Sequence, residues 1–173
     1  MKKTFSVLAA SLIATSALAA PLNVNPQACW LETSAAPMPA AMGGEGIRDR
    51  KVWNSTISAV LVRHPKGDVL IDAGFSPDAE AQMNELPTAA RAFGLQIVSD
   101  AKNRRSILRA LGSVGENPAR VARILITHAH YDHLGGATQL TAPIFVASAE
   151  AAWMTSQAAN PTITPPSLVA AVK

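Results

Sequence analysis

The chain has 173 residues, 49% of them apolar, 16% charged and 5% aromatic, which is length for about one domain at the usual ~100–200 residues. That hydrophobicity excludes a disordered polymer, while ten glycines without a triplet period and a single cysteine exclude collagen-like and disulfide-framed folds. The formal charge is +3, but without Lys2 and Lys3 there are 13 basic against 12 acidic side chains and no run of like charge, so no nucleic-acid partner is expected.

Met1-Lys2-Lys3, the apolar stretch from Phe5 to Ala14, and the small-x-small sequence Ala17-Leu18-Ala19 read as a signal peptide (1–19) cut after Ala19. The apolar run is too short for the ~20 residues that span a bilayer. The mature chain is therefore expected to be periplasmic or secreted, with no membrane attachment after cleavage. Residues 20–50, rich in Ala, Pro, Gly and Met, are expected to be an irregular N-terminal segment, with the folded domain in 51–173.

Thr56–Val62 alternates and then turns continuously apolar, as a strand does. Pro65-Lys66-Gly67-Asp68 is a turn and Val69-Leu70-Ile71-Asp72 the partner strand of a β-hairpin. Ser76-Pro77-Asp78 reads as a helix start that Pro87 interrupts. Asp100 is expected to cap a second helix with Ile107, Leu108 and Leu111 on one face and Gly112 as its stop. Arg123–Thr127 and Pro143–Val146 are short buried-type strands, and Ser148 is expected to cap a helix through Trp153. Strands alternating with helices indicate an α/β layer architecture. Trp30, Trp53, Trp153, Met154 and Tyr131 are read first as packing residues, His64 as a surface turn residue, and Arg104, Arg105 and Arg109 as a solvated helix face.

Three of the four histidines fall within the six positions His128-Ala129-His130-Tyr131-Asp132-His133, at the end of an apolar strand and ahead of Leu134-Gly135-Gly136. Residues at i and i+2 leaving a strand point to the same side, so His128 and His130 can grip one ion. A tightening turn brings Asp132 and His133 to a second position. Imidazole nitrogen suits zinc, and a mixed carboxylate–imidazole set accommodates zinc, manganese or iron.

The pattern His128-x-His130-x-Asp132-His133, followed by Leu-Gly-Gly, resembles the signature of the metallo-β-lactamase superfamily. Val69-Leu70-Ile71-Asp72-Ala73-Gly74 is similar to that superfamily's earlier motif, an apolar strand ending in Asp-x-Gly. The resemblance covers Ser55 to Trp153 and implies an αββα sandwich with a dinuclear site at one edge of two sheets. By the same resemblance His128 and His130 would hold the first metal, Asp132 and His133 the second, and Asp72 would support them. Two zinc ions are implied, with a metal-bound hydroxide attacking an ester, lactone or lactam-type bond of a small-molecule substrate. Asp132 would orient that nucleophile and relay its proton.

The superfamily's pattern continues with a further His, a bridging Asp and a final His. Here no His follows His133 and no Asp follows Asp132; Glu150 is the only later carboxylate side chain. The expectation is therefore that these residues are about the first half of the sandwich, inactive alone, with lactonase and β-lactamase readings both open. A different expectation is a non-catalytic metal-binding or interaction protein on half the fold, completed by homodimerisation.

Overall fold

The computed structural model describes residues 27–40, 51–159 and 163–172. The expected leader (1–19) lies outside the described residues, as do residues 20–26 and 41–50 of the segment expected to be irregular. The rest of that segment corrects the expectation. Gln27–Pro39 forms strand β1, paired antiparallel with β2 (Val52–Arg63) from Gln27↔Arg63 to Pro39↔Val52. Ala, Ser and Pro carry little strand preference of their own, so the pairing with β2 overrides composition. Pro37 and Pro39 are tolerated because β1 is an edge strand.

β2 turns at His64–Gly67 into β3 (Asp68–Ile71), with the Gly67 N–H donating to the His64 carbonyl at 3.0 Å. β4 (Val121–Ile126) runs parallel to β3, and β5 (Ile144–Val146) parallel to β4, giving one sheet in the order β1-β2-β3-β4-β5. The period of two along each strand sorts its residues onto two faces. Leu61, Leu70 and Ile124, opposite one another on β2, β3 and β4, have no exposed surface and belong to the core with Ile107, Leu111, Leu134 and Leu168. One position along, Trp30, Val60, Ile71, Leu125 and Phe145 form a row across all five strands on the other face. In that row Trp30 is 67% exposed, Leu125 39% and Phe145 46%. Trp30 is thus not the packing residue expected of it.

Helices α1 (Ala79–Met83), α2 (Thr88–Asp100) and α3 (Ile107–Ser113) fill the crossover between β3 and β4. Asp100 ends α2 instead of capping its successor. The α3 cap is Ser106, whose Oγ accepts the Arg109 N–H at 3.3 Å. Leu108 is 39% exposed while Ile107, Ala110 and Leu111 are buried, so the apolar face is narrower than expected. Ser76 makes a turn ahead of α1, its Oγ accepting the Asp78 N–H at 3.1 Å. After β4 come the single turn α4 (Tyr131–Leu134), a 3-10 turn (Gly135–Gln139), α5 (Ser148–Ala159) and α6 (Pro166–Ala171). The residues after the carboxyl ends of parallel strands β3, β4 and β5 gather at one edge of the sheet, where open α/β folds place their sites.

Candidate metal centre

Asp72 follows β3 directly and takes a left-handed backbone conformation, φ 58°, uncommon for a residue with a side chain. Its carboxylate collects three donors. Oδ1 accepts the Thr127 N–H at 2.8 Å, and Oδ2 accepts the Thr127 hydroxyl at 2.8 Å. His133 Nδ1 lies 2.9 Å from the same Oδ2. The Thr127 hydroxyl also meets His128 Nδ1 at 3.1 Å. Its single proton goes to Asp72, so His128 must donate from Nδ1. A carboxylate only accepts, so His133 also donates from Nδ1. Both rings are therefore in the Nδ1–H tautomer, which leaves each Nε2 lone pair for an ion.

The two motifs are also joined through their backbones. The Ala73 N–H donates to the His133 carbonyl and the Gly136 N–H to the Gly74 carbonyl, each at 2.8 Å. This approach explains the paired glycines. A Cβ on Gly136 would stand 2.0 Å from the Ala73 carbonyl oxygen, and one on Gly135 2.4 Å from the Ser76 nitrogen.

The imidazoles cluster. The His128 ring lies 4.3 Å from His130 and 4.0 Å from His133, centroid to centroid, and His133 Nε2 is 3.7 Å from Asp132 Oδ2. Burial lowers the pKa of His128, and His133 adds to the effect. Burial followed by His128 lowers that of His130. Burial also pulls His133 down, but the Asp72 hydrogen bond and the Asp132 and Asp72 charges outweigh it, and His133 titrates above its ordinary 6.5. Burial pushes the Asp72 carboxyl up, the bonds from His133 and Thr127 outweigh this, and it sits below the ordinary 3.8.

All four expected ligands and their expected supporter are thus neighbours. Among the described residues no three His, Cys, Asp or Glu side chains yet stand in an arrangement ready to hold an ion. The donor chemistry nevertheless fits zinc: neutral imidazoles with fixed tautomers, an adjacent carboxylate and a carboxylate partner behind a ligand. Thr127 was legible only as the end of a strand; its bridging role depends on Asp72, 55 residues earlier.

Tyr131 is buried, stacks on Phe75 at 5.9 Å, and has its hydroxyl pKa raised by burial and then by Asp132. Trp153 packs 6.1 Å from the His130 ring and Met154 is buried, while Trp53 stays 38% exposed. His64 serves its turn, Nδ1 accepting the Lys66 N–H at 3.1 Å. A cavity of about 100 Å³ opens beside the motif, lined by Met38, Ile57, Phe93 and Ile97 with His130 and Asp132 at its wall.

No curated protein matches the chain significantly. Among solved structures it is similar to a quorum-quenching N-acyl homoserine lactone lactonase (21% identity, 79% of this chain and 54% of that one, TM-score 0.54). It is also similar to AiiA of B. thuringiensis with N-decanoyl-L-homoserine bound at the active site (18%, 79% and 57%, 0.56). A third is AidC, a dizinc quorum-quenching lactonase in complex with the product N-hexanoyl-L-homoserine (17%, 86% and 56%, 0.57). These identities establish the fold alone, and the chain spans about half the length of the structures it matches. The family pattern of the metallo-β-lactamase superfamily matches residues 53–152. With that match over most of its length, and both motifs folded into one edge of an α/β sheet, the chain belongs to the metallo-β-lactamase superfamily.

Proposed function

We propose that this chain is the N-terminal, metal-gripping part of an exported zinc-dependent hydrolase that opens lactones carrying an apolar acyl arm. The observation that carries the lactone reading is the apolar cavity sharing His130 and Asp132 with the metal centre. An N-acyl homoserine lactone hydrolase and a dizinc lactonase, each with the product N-hexanoyl-L-homoserine bound, are among the structures with the same fold. His128 and His130 would hold one zinc, Asp132 and His133 a second. When bound, zinc supplies a nucleophilic water at neutral pH and polarises the substrate oxygen.

The chain's own residues do the rest. Asp72 holds the His133 ring directly and the His128 ring through Thr127, each with Nε2 forward. Asp132, part-exposed beside His133 Nε2, orients the nucleophile and takes its proton. Met38, Ile57, Phe93 and Ile97 bind the arm and keep water from it. Full activity needs ligands beyond the four present here. These would come from further His and Asp residues in the same polypeptide or a partner.

The test is an assay of the zinc-loaded, longest natural form on acyl-homoserine lactones of rising chain length, beside penicillin and a carbapenem. Lactone opening with KM falling as the acyl chain lengthens supports the reading, and β-lactam hydrolysis without lactone opening rejects it. Export is tested by the mature N-terminus, expected at Ala20. A second reading, a non-catalytic metal-binding protein completed by homodimerisation, draws on the apolar row from Trp30 to Phe145, in which Trp30, Leu125 and Phe145 are exposed. Zinc-loaded soluble dimers without turnover would favour it.

A further inference from the structure

The peptide between the two leading histidines is held from outside the motif. Ala129 is fully buried and offers no side chain to anchor itself. Its N–H donates to Glu150 Oε2 at 3.0 Å, and its carbonyl accepts the Thr164 hydroxyl at 2.5 Å. Glu150 sits in the first turn of α5, after β5. Thr164, just ahead of α6, is itself fully buried. Three residues beyond Glu150, on the same helix face, Trp153 packs against the His130 ring.

No ladder or helix accounts for these two bonds. Peptide units are rigid planes, and His128 and His130 hang from either side of residue 129. The Ala129 N–H lies in the plane shared with His128 and its carbonyl in the plane shared with His130, so anchoring both fixes how the backbone positions that carry the two rings stand to each other. We propose that Glu150 and Thr164 are positioning residues of the metal centre, clamping the Ala129 peptide so that His128 and His130 keep the spacing that binds an ion. This rests on the metal reading above, and extends it to two residues outside both motifs.

A role of Glu150 through its charge alone, at the α5 terminus or toward the histidines, predicts the opposite mutational order from a clamp. E150Q keeps the length and an acceptor oxygen but loses the charge; E150D keeps the charge but falls a methylene short of the Ala129 N–H. T164S keeps the hydroxyl and T164V removes it. In the full chain, two readouts are taken: hydrogen exchange of the Ala129 amide without metal, and zinc affinity by chelator competition. E150D and T164V are expected to speed exchange by about tenfold or more and weaken zinc by about 10–100-fold, the range for partners behind a ligand. E150Q and T164S should stay within about threefold of wild type on both. Wild-type exchange and affinity in E150D, or loss in E150Q with E150D intact, overturns the clamp. If the wild-type chain retains no zinc, the metal reading fails, while the exchange arm still decides whether Ala129 is clamped.

Discussion

His133 Nδ1 lies 2.9 Å from Asp72 Oδ2, a contact that joins residues 61 positions apart. The same carboxylate bonds both the backbone and the hydroxyl of Thr127. Asp72 therefore governs two imidazoles, His133 directly and His128 through Thr127.

Removing that carboxylate should loosen both rings. D72A is expected to weaken zinc binding by about 10–100-fold, with D72N intermediate because its amide oxygen can still accept one donor. Calorimetric titration of the folded variants checks this, and an unchanged Kd in D72A contradicts it.

The histidines also give the metal-free chain a pH signature. Below 6.5 the unfolded chain takes up protons that His128 and His130, with lowered values, resist in the fold, so stability falls on acidification. His133 has the opposite sign: its contribution is full below 6.5 and is lost as pH rises through its raised folded value. Asp72 adds a further loss as pH falls below 3.8. Urea midpoints from pH 4 to 9 should therefore peak near 6.5, and H133N should remove the alkaline decline. A wild-type midpoint that keeps rising to pH 8.5 would count against the Asp72–His133 pairing.

Two glycine substitutions should diverge. G136A forces a Cβ against the Ala73 carbonyl and is expected to destabilise by about 1–3 kcal/mol, the usual range for overpacking. Gly112, inside α3, has open space around its absent Cβ, so G112A should stabilise by up to about 1 kcal/mol. Chemical denaturation of both variants tests the contrast; equal effects would mean the backbone at Gly136 yields freely.

The outer sheet row makes a prediction about association. Exposed contiguous apolar surface drives self-contact. Phe145 is 46% exposed on strand β5, at the sheet edge. F145T puts a β-branched strand former in place of the aromatic ring and should lower the apparent mass of the chain by light scattering, with the fold unchanged by circular dichroism. No change in mass would show that the row does not govern association.

Much of the arrangement was readable in advance. The hairpin, β4, β5 and the histidine motif announce themselves through alternation, turn residues and donor density. β1 did not, because Ala, Ser and two prolines hide a strand that exists only through its pairing with β2. Asp100 misled for a similar reason: a good capping side chain is not a cap when Ser106 lies closer to the next apolar face. The site was legible as a set of residues but not as a network. Thr127 matters because of Asp72, and Ala129 because of Glu150 and Thr164, and those relationships are created by the chain's return.

The bonds from Asp72 to Thr127 and His133 span 55 and 61 residues. A peptide carrying only residues 127–136 would contain every expected ligand, yet neither ring orientation would be set. The ring orientations are therefore set only where β3 and β4 lie side by side. An ion that recognises only this arrangement shifts the equilibrium toward the folded state by mass action, so under the zinc reading proposed above, uptake of the ion would double as a measure of how much of the chain has folded.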